Sequence, residues 1–151
     1  MKRIFWIDDD IGVALPDVTF LKYHGYAVDI ARNATEGIDW FAEHKLELGT
    51  HCAYIVDVQL PTDGDSRFSG DSRAVFAGLR ICEILKSEVL TASEWEAVRQ
   101  KLLLFTRLPN TQRMRRIQEF ATANKIHFVH KSPTDSLLSQ LASIGLVNVL
   151  G

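Results

Sequence analysis

A chain of 151 residues, 46% apolar and 24% charged, has the make-up of a globular protein and the length of one domain with a single sizeable core. Seventeen Lys and Arg against nineteen Asp and Glu leave a net charge of −2, which gives no overall nucleic-acid footprint. The two cysteines, Cys52 and Cys82, lack zinc-ligand spacing and a Cys-x-x-Cys motif and read as reduced thiols; with no signal peptide or membrane-spanning run in view, the expected location is cytoplasmic.

Strand one is expected at Arg3 to Ile7 and ends in Asp8, Asp9 and Asp10. A helix from about Ile11 to His24 follows, with Pro16 predicting a late start or a bend, and Gly25-Tyr26 turns the chain into strand two, Ala27 to Ala31. Asn33 and Glu36 have capping-box spacing for a second helix whose apolar face carries Ile38, Phe41 and Ala42. Strand three, Ala53 to Val58, is apolar except for Asp57, as expected of a strand covered on both faces. After Pro61 comes a polar stretch in which Gly-Asp-Ser-Arg occurs twice, at Gly64 to Arg67 and Gly70 to Arg73; it reads as a solvated loop in preference to a metal site built on Asp63, Asp65 and Asp71. Helix three is expected from about Arg73 to Ser87, and Thr91 with Glu94 predicts a further helical piece before strand four at Lys101 to Thr106. Helix four follows Asn110-Thr111, strand five is Ile126 to His130, and helix five runs from about Thr134 to Ser143 with Gly145 placed to end it.

Strands alternating with helices predict a parallel sheet, and in such sheets polar strand-end residues meet outside the carboxyl ends of the strands, where strand order reverses. Asp8, Asp9, Asp57, Thr106 and Lys131 then describe one site. Two carboxylates about 4 Å apart repel by about 4 kcal/mol at an effective dielectric of 20, and Lys131 alone does not balance three of them. The deficit calls for a divalent cation, and an all-oxygen pocket suits Mg²⁺. Carboxylate, hydroxyl, ammonium and Mg²⁺ together make a phosphoryl-handling set, with the carboxylate as covalent acceptor. Asp10 reads as a helix N-cap. The five histidines show no metal-ligand spacing, and Arg113, Arg115 and Arg116 read as a solvated helix face.

On these residues the chain resembles the receiver domains of response regulators, the phosphorylatable half of two-component signalling, from about Lys2 to the last helix. The resemblance implies a flavodoxin-like α/β fold, a doubly wound five-stranded parallel sheet of order 2-1-3-4-5 with helices on both faces. It makes residues 1–151 a single receiver domain with insertions at about 62–73 and 88–100 and no attached output domain. It makes Asp57 the phosphoacceptor, Asp8, Asp9, Asp57 and the Gln59 main-chain carbonyl the Mg²⁺ ligands, Thr106 the switch hydroxyl, Lys131 the family's lysine and Phe128 the aromatic switch, although Phe128 reads equally as a core aromatic. Arg107 departs from the family, which usually has a small residue there, and is expected to act as a pocket gate; Lys131 is followed by Ser132-Pro133 where the family has proline directly. The partners implied are a sensor histidine kinase or phosphotransfer protein and a downstream protein on helix four, strand five and helix five, with a homodimer also compatible and neither nucleic acid nor membrane engaged. Catalysis is limited to self-phosphorylation and self-dephosphorylation. Two other readings stand beside this one: a pseudo-receiver in which Arg107 fills the anion site, and a haloacid-dehalogenase-type phosphatase using Asp8, Asp10, Thr106 and Lys131, which lacks an acidic pair after Lys131 and leaves Asp57 without a role.

Overall fold

The inner strands are apolar because both of their faces are covered. In the computed structural model, which describes residues 2–62, 64–68, 73–107, 111–130 and 137–147, the strands are β1 (Lys2–Ile7), β2 (Tyr26–Ala31), β3 (His51–Asp57), β4 (Leu102–Thr106) and β5 (His127–His130). All pairings are parallel and the order is β2-β1-β3-β4-β5, the flavodoxin-like arrangement expected. The chain steps outward from β1 to β2, then returns past β1 to β3, so the order reverses between β1 and β3. Ile7 pairs with Val56 there, which places Asp8 and Asp57 side by side one residue beyond the last pair.

Helices α1 (Ile11–Tyr23) and α6 (Leu137–Ser143) cover one face, packing Val18, Leu21 and Leu141 on Trp6, Ile55 and Phe105. The other face, with Phe5, Tyr54 and Leu104, is covered by α2 (Ala34–Glu43), α3 (Arg73–Ile84), α4 (Ala92–Arg99) and α5 (Thr111–Asn124). The piece expected after Thr91 is α4, a helix of its own with both bonds of a capping box; α5 and α6 are therefore the helices four and five of the sequence reading. Gly145 ends α6 with φ of +81°, and the Leu146 N–H reaches back to the Leu141 carbonyl at 3.0 Å, the closing bond of a Schellman turn.

Two local expectations change, and the late start allowed for at Pro16 does not occur. Helix α1 starts at Ile11 in spite of Pro16, because the Asp10 carboxylate accepts the Val13 N–H at 3.1 Å and fixes the first turn; proline only withdraws the N–H that would bond Gly12. Ala42 is exposed, and the buried residues of α2 are Ala34, Gly37, Ile38 and Phe41. The polar stretch after Pro61 is not simply solvated. Phe68 is buried in the core, Asp65 accepts from Thr35 at 2.7 Å and pairs with Arg67 at 2.6 Å, and Arg80 donates to the Arg67 carbonyl, so 64–68 is pinned to α2 and α3. The Arg67 guanidinium holds the Asp65 carboxyl below the usual carboxylate range. Asp63 and Asp71 lie outside the described residues.

The start of α3 positions the site indirectly. Phe76 leaves helical geometry at φ −121° and ψ 25°, and the freed N–H of Gly78 donates to the Val58 carbonyl at 2.9 Å. Helix backbone thus lies directly on the end of β3.

Candidate functional site

Each site residue is delivered by a strand end. Asp8 follows β1 and is fully buried; its Oδ1 accepts the Asp10 N–H at 3.0 Å, which also sets the turn into α1. Asp9 is exposed at the same turn. Asp57 closes β3, buried, with its Oδ1 accepting the Gln59 N–H at 3.2 Å. Thr106 closes β4, buried, in register with His130 on β5. Lys131 lies outside the described residues. Gln59 is exposed on the rim, and Phe128 is half-buried beside Leu104, against the core under α5.

One carboxylate oxygen from each of Asp8, Asp9 and Asp57 lies within 4.8 Å of the other two, the sole such acidic, His or Cys group among the described residues. Asp9 and Asp57 border a cleft of about 540 Å³ that is also lined by Asp10, Gln59, Leu60, Pro61, Thr106 and Arg107, with Asp8 buried behind it. Hard oxygen donors with an open side for water and a phosphoryl oxygen fit Mg²⁺, which takes few protein ligands and keeps part of its hydration. The residues present therefore suit the cation implied by the sequence.

Arg107 turns inward. Its Nη1 donates to Asp8 Oδ2 at 3.1 Å and stands 3.7 Å from Asp57 Oδ2, while the guanidinium carbon sits 4.8 Å from the centre of the Phe105 ring. Sequence reasoning expected this guanidinium at the pocket mouth but did not settle which carboxylate it meets. It also passed over Gly78, where a β-carbon would stand 2.5 Å from the Asp57 carbonyl oxygen; a glycine inside an apolar helix was the available signal.

Burial is the larger cause, and the neighbouring Asp8 carboxylate the next, of an Asp57 pKa raised above the ordinary carboxylate range, against the pull of the Gln59 N–H and Arg107. The folded, metal-free protein then holds a proton on Asp57 at pH values where the unfolded chain has released it. Stability is accordingly greatest in mild acid and falls as pH rises through the raised pKa. Melting in chelator between about pH 5 and pH 8 should show a falling transition temperature for the parent and a flatter profile for Asp57→Asn. Parallel profiles would show that Asp57 is not the group responsible.

No protein-family model matches the sequence, and no curated protein matches it either. Solved structures do. The response regulator TrrA of Thermotoga maritima, in complex with Mg²⁺-BeF, is 23% identical with a TM-score of 0.60, over 95% of this chain and 99% of that one. The chemotaxis response regulator CheY4 of Vibrio cholerae is 17% identical with a TM-score of 0.64, over 95% and 98%. The non-phosphorylated HemR receiver domain of Leptospira biflexa is 22% identical with a TM-score of 0.60, over 98% of each. The fold of this chain is that of response-regulator receiver domains.

Proposed function

With the receiver fold as premise, we propose that the chain is a phosphoacceptor receiver of a two-component phosphorelay, taking a phosphoryl group on Asp57 and signalling through a protein-binding face. The observation that carries this reading is the meeting of Asp8, Asp9 and Asp57 within 4.8 Å at the point where strand order reverses. A carboxylate of Asp57 attacks the phosphorus of a phosphohistidine or small acyl phosphate, the P–O bond of an acyl phosphate forms, and the bond to the donor breaks with its electrons leaving on the donor. Mg²⁺, held by Asp8, Asp9, Asp57 and the Gln59 carbonyl, would supply neutralisation of the phosphoryl charge. Lys131 is assigned the same electrostatic task.

Transmission follows from Thr106 and Phe128. The Thr106 hydroxyl bonds the new phosphoryl oxygens, Phe128 repacks beside it, and the surface of α5, β5 and α6 changes; a phosphoryl group acts in this way by biasing a two-state element. That surface is assigned to the downstream partner, and a sensor histidine kinase or phosphotransfer protein to the donor role. Among the described residues no helix is long and apolar enough to cross a membrane. The chain is read as a signalling domain whose chemistry stops at gaining and losing its own phosphoryl group.

Titration with Mg²⁺ and beryllofluoride, followed by amide NMR, tests the reading. Expected are saturable shifts at Asp8, Asp57 and Thr106 together with shifts on α5, β5 and α6. Shifts confined to the cleft would remove the switch; none at all would remove the phosphoacceptor and leave the constitutive pseudo-receiver.

A further inference from the structure

The position between Asp8 and Asp57 is already taken by a cation of the chain itself. Arg107 Nη1 is 3.1 Å from Asp8 Oδ2 and 3.7 Å from Asp57 Oδ2, and these residues supply two of the three carboxylates assigned above to Mg²⁺. The side chain is only 27% exposed, and its guanidinium carbon lies over the Phe105 ring, 4.8 Å from the centre. Its Nε and Nη2 are buried and make no hydrogen bond among the described residues. A guanidinium usually meets a carboxylate through two parallel N–H bonds. Here one nitrogen faces two carboxylates and the rest of the fork is idle, so the residue is placed by charge between the acids and not by the geometry of a bidentate pair.

We propose that Arg107 is a built-in counter-cation that a divalent metal must displace, so that metal uptake and departure of the guanidinium are one exchange. The proposal rests on the metal-binding reading. Mg²⁺ binds carboxylate oxygen at about 2.1 Å, which would bring it within a few ångströms of Nη1, and two cations do not share that space without strong repulsion. The resting site is therefore partly neutralised without metal, and the metal has to compete for ligands that are already engaged. Phosphoryl uptake becomes conditional on that competition.

Calorimetric titration of the full metal-free chain with Mg²⁺ alone tests this, using the parent, Arg107→Ala and Arg107→Lys. Arg107→Ala should bind at least about tenfold more tightly than the parent, and Arg107→Lys, which keeps the charge, should stay within about threefold of it. In the parent, the Arg107 Nε–H resonance should shift as Mg²⁺ saturates, a readout that needs no variant to fold. Equal affinity of parent and Arg107→Ala, or an Nε–H signal unmoved at saturation, overturns the exchange while leaving metal binding intact. If no protein of the three binds Mg²⁺, the metal reading fails and the exchange with it.

Discussion

Asp57→Asn is expected to end phosphoryl uptake altogether, a fall of at least about a thousandfold, equivalent to about 4 kcal/mol of transition-state stabilisation. The amide removes the nucleophile while keeping the size and much of the hydrogen bonding of the side chain, including acceptance from the Gln59 N–H. Asp8 is as deeply buried as Asp57, but its Oδ1 is engaged by the Asp10 N–H and its Oδ2 by Arg107, so it is a poor substitute nucleophile. Intact mass after incubation with acetyl phosphate and Mg²⁺ reads the result directly. An adduct of the same extent on the Asn variant, or one formed equally well in chelator, would remove Asp57 from its assigned role. The variant should fold, since it replaces a buried carboxyl by a neutral isostere.

Gly78→Ala carries the largest expected effect on stability. The added carbon would lie 2.5 Å from the Asp57 carbonyl oxygen and 2.8 Å from Val58 Cα, both of them main-chain atoms in the sheet that cannot rotate aside as a side-chain tip could. Forcing α3 off the end of β3 would also stretch the 2.9 Å bond from the Gly78 N–H to Val58. Overpacking of a filled interior costs about 1–3 kcal/mol, and the rigid obstacle places this change near the upper end. For a chain of this size the melting temperature should fall by about 6–12 °C. Gly49, which would meet nothing within 4 Å, supplies the contrast: Gly49→Ala should stay within about 0.5 kcal/mol of the parent. Similar melting of the two variants would mean that α3 can withdraw from β3 at little cost.

The contrast between these glycines shows where sequence reasoning reaches and where it stops. Asp57 was legible because a charge interrupting a strand buried on both faces demands a reason, and the runs around Ile4 to Ile7 and Leu102 to Phe105 are apolar for the same cause. Thr91 with Glu94 and Asp10 before α1 were legible because capping is local chemistry. Gly78 was not, since its constraint comes from a strand 20 residues earlier that the helix happens to touch. Phe68 was a lone apolar residue in a polar run, and its burial depends on how α2 and α3 leave space for it. Arg107 was legible in part: a guanidinium after Thr106 was expected at the pocket mouth, and its closest pairing, with the buried Asp8, is a tertiary fact of the same kind.

The strand order also sets a sequence of events in folding. β2, β1 and β3 come from the first 57 residues, so Asp8, Asp9 and Asp57 all belong to the N-terminal part of the chain, and their mutual repulsion opposes its assembly. Relief arrives only with β4, whose docking on β3 delivers Arg107. Pairings between distant parts of a chain are the slow ones to form. An acidic centre that waits for its counter-charge makes β4 the strand whose arrival commits the sheet. During synthesis from the N-terminus, that commitment waits until residue 107 of the 151 has been added.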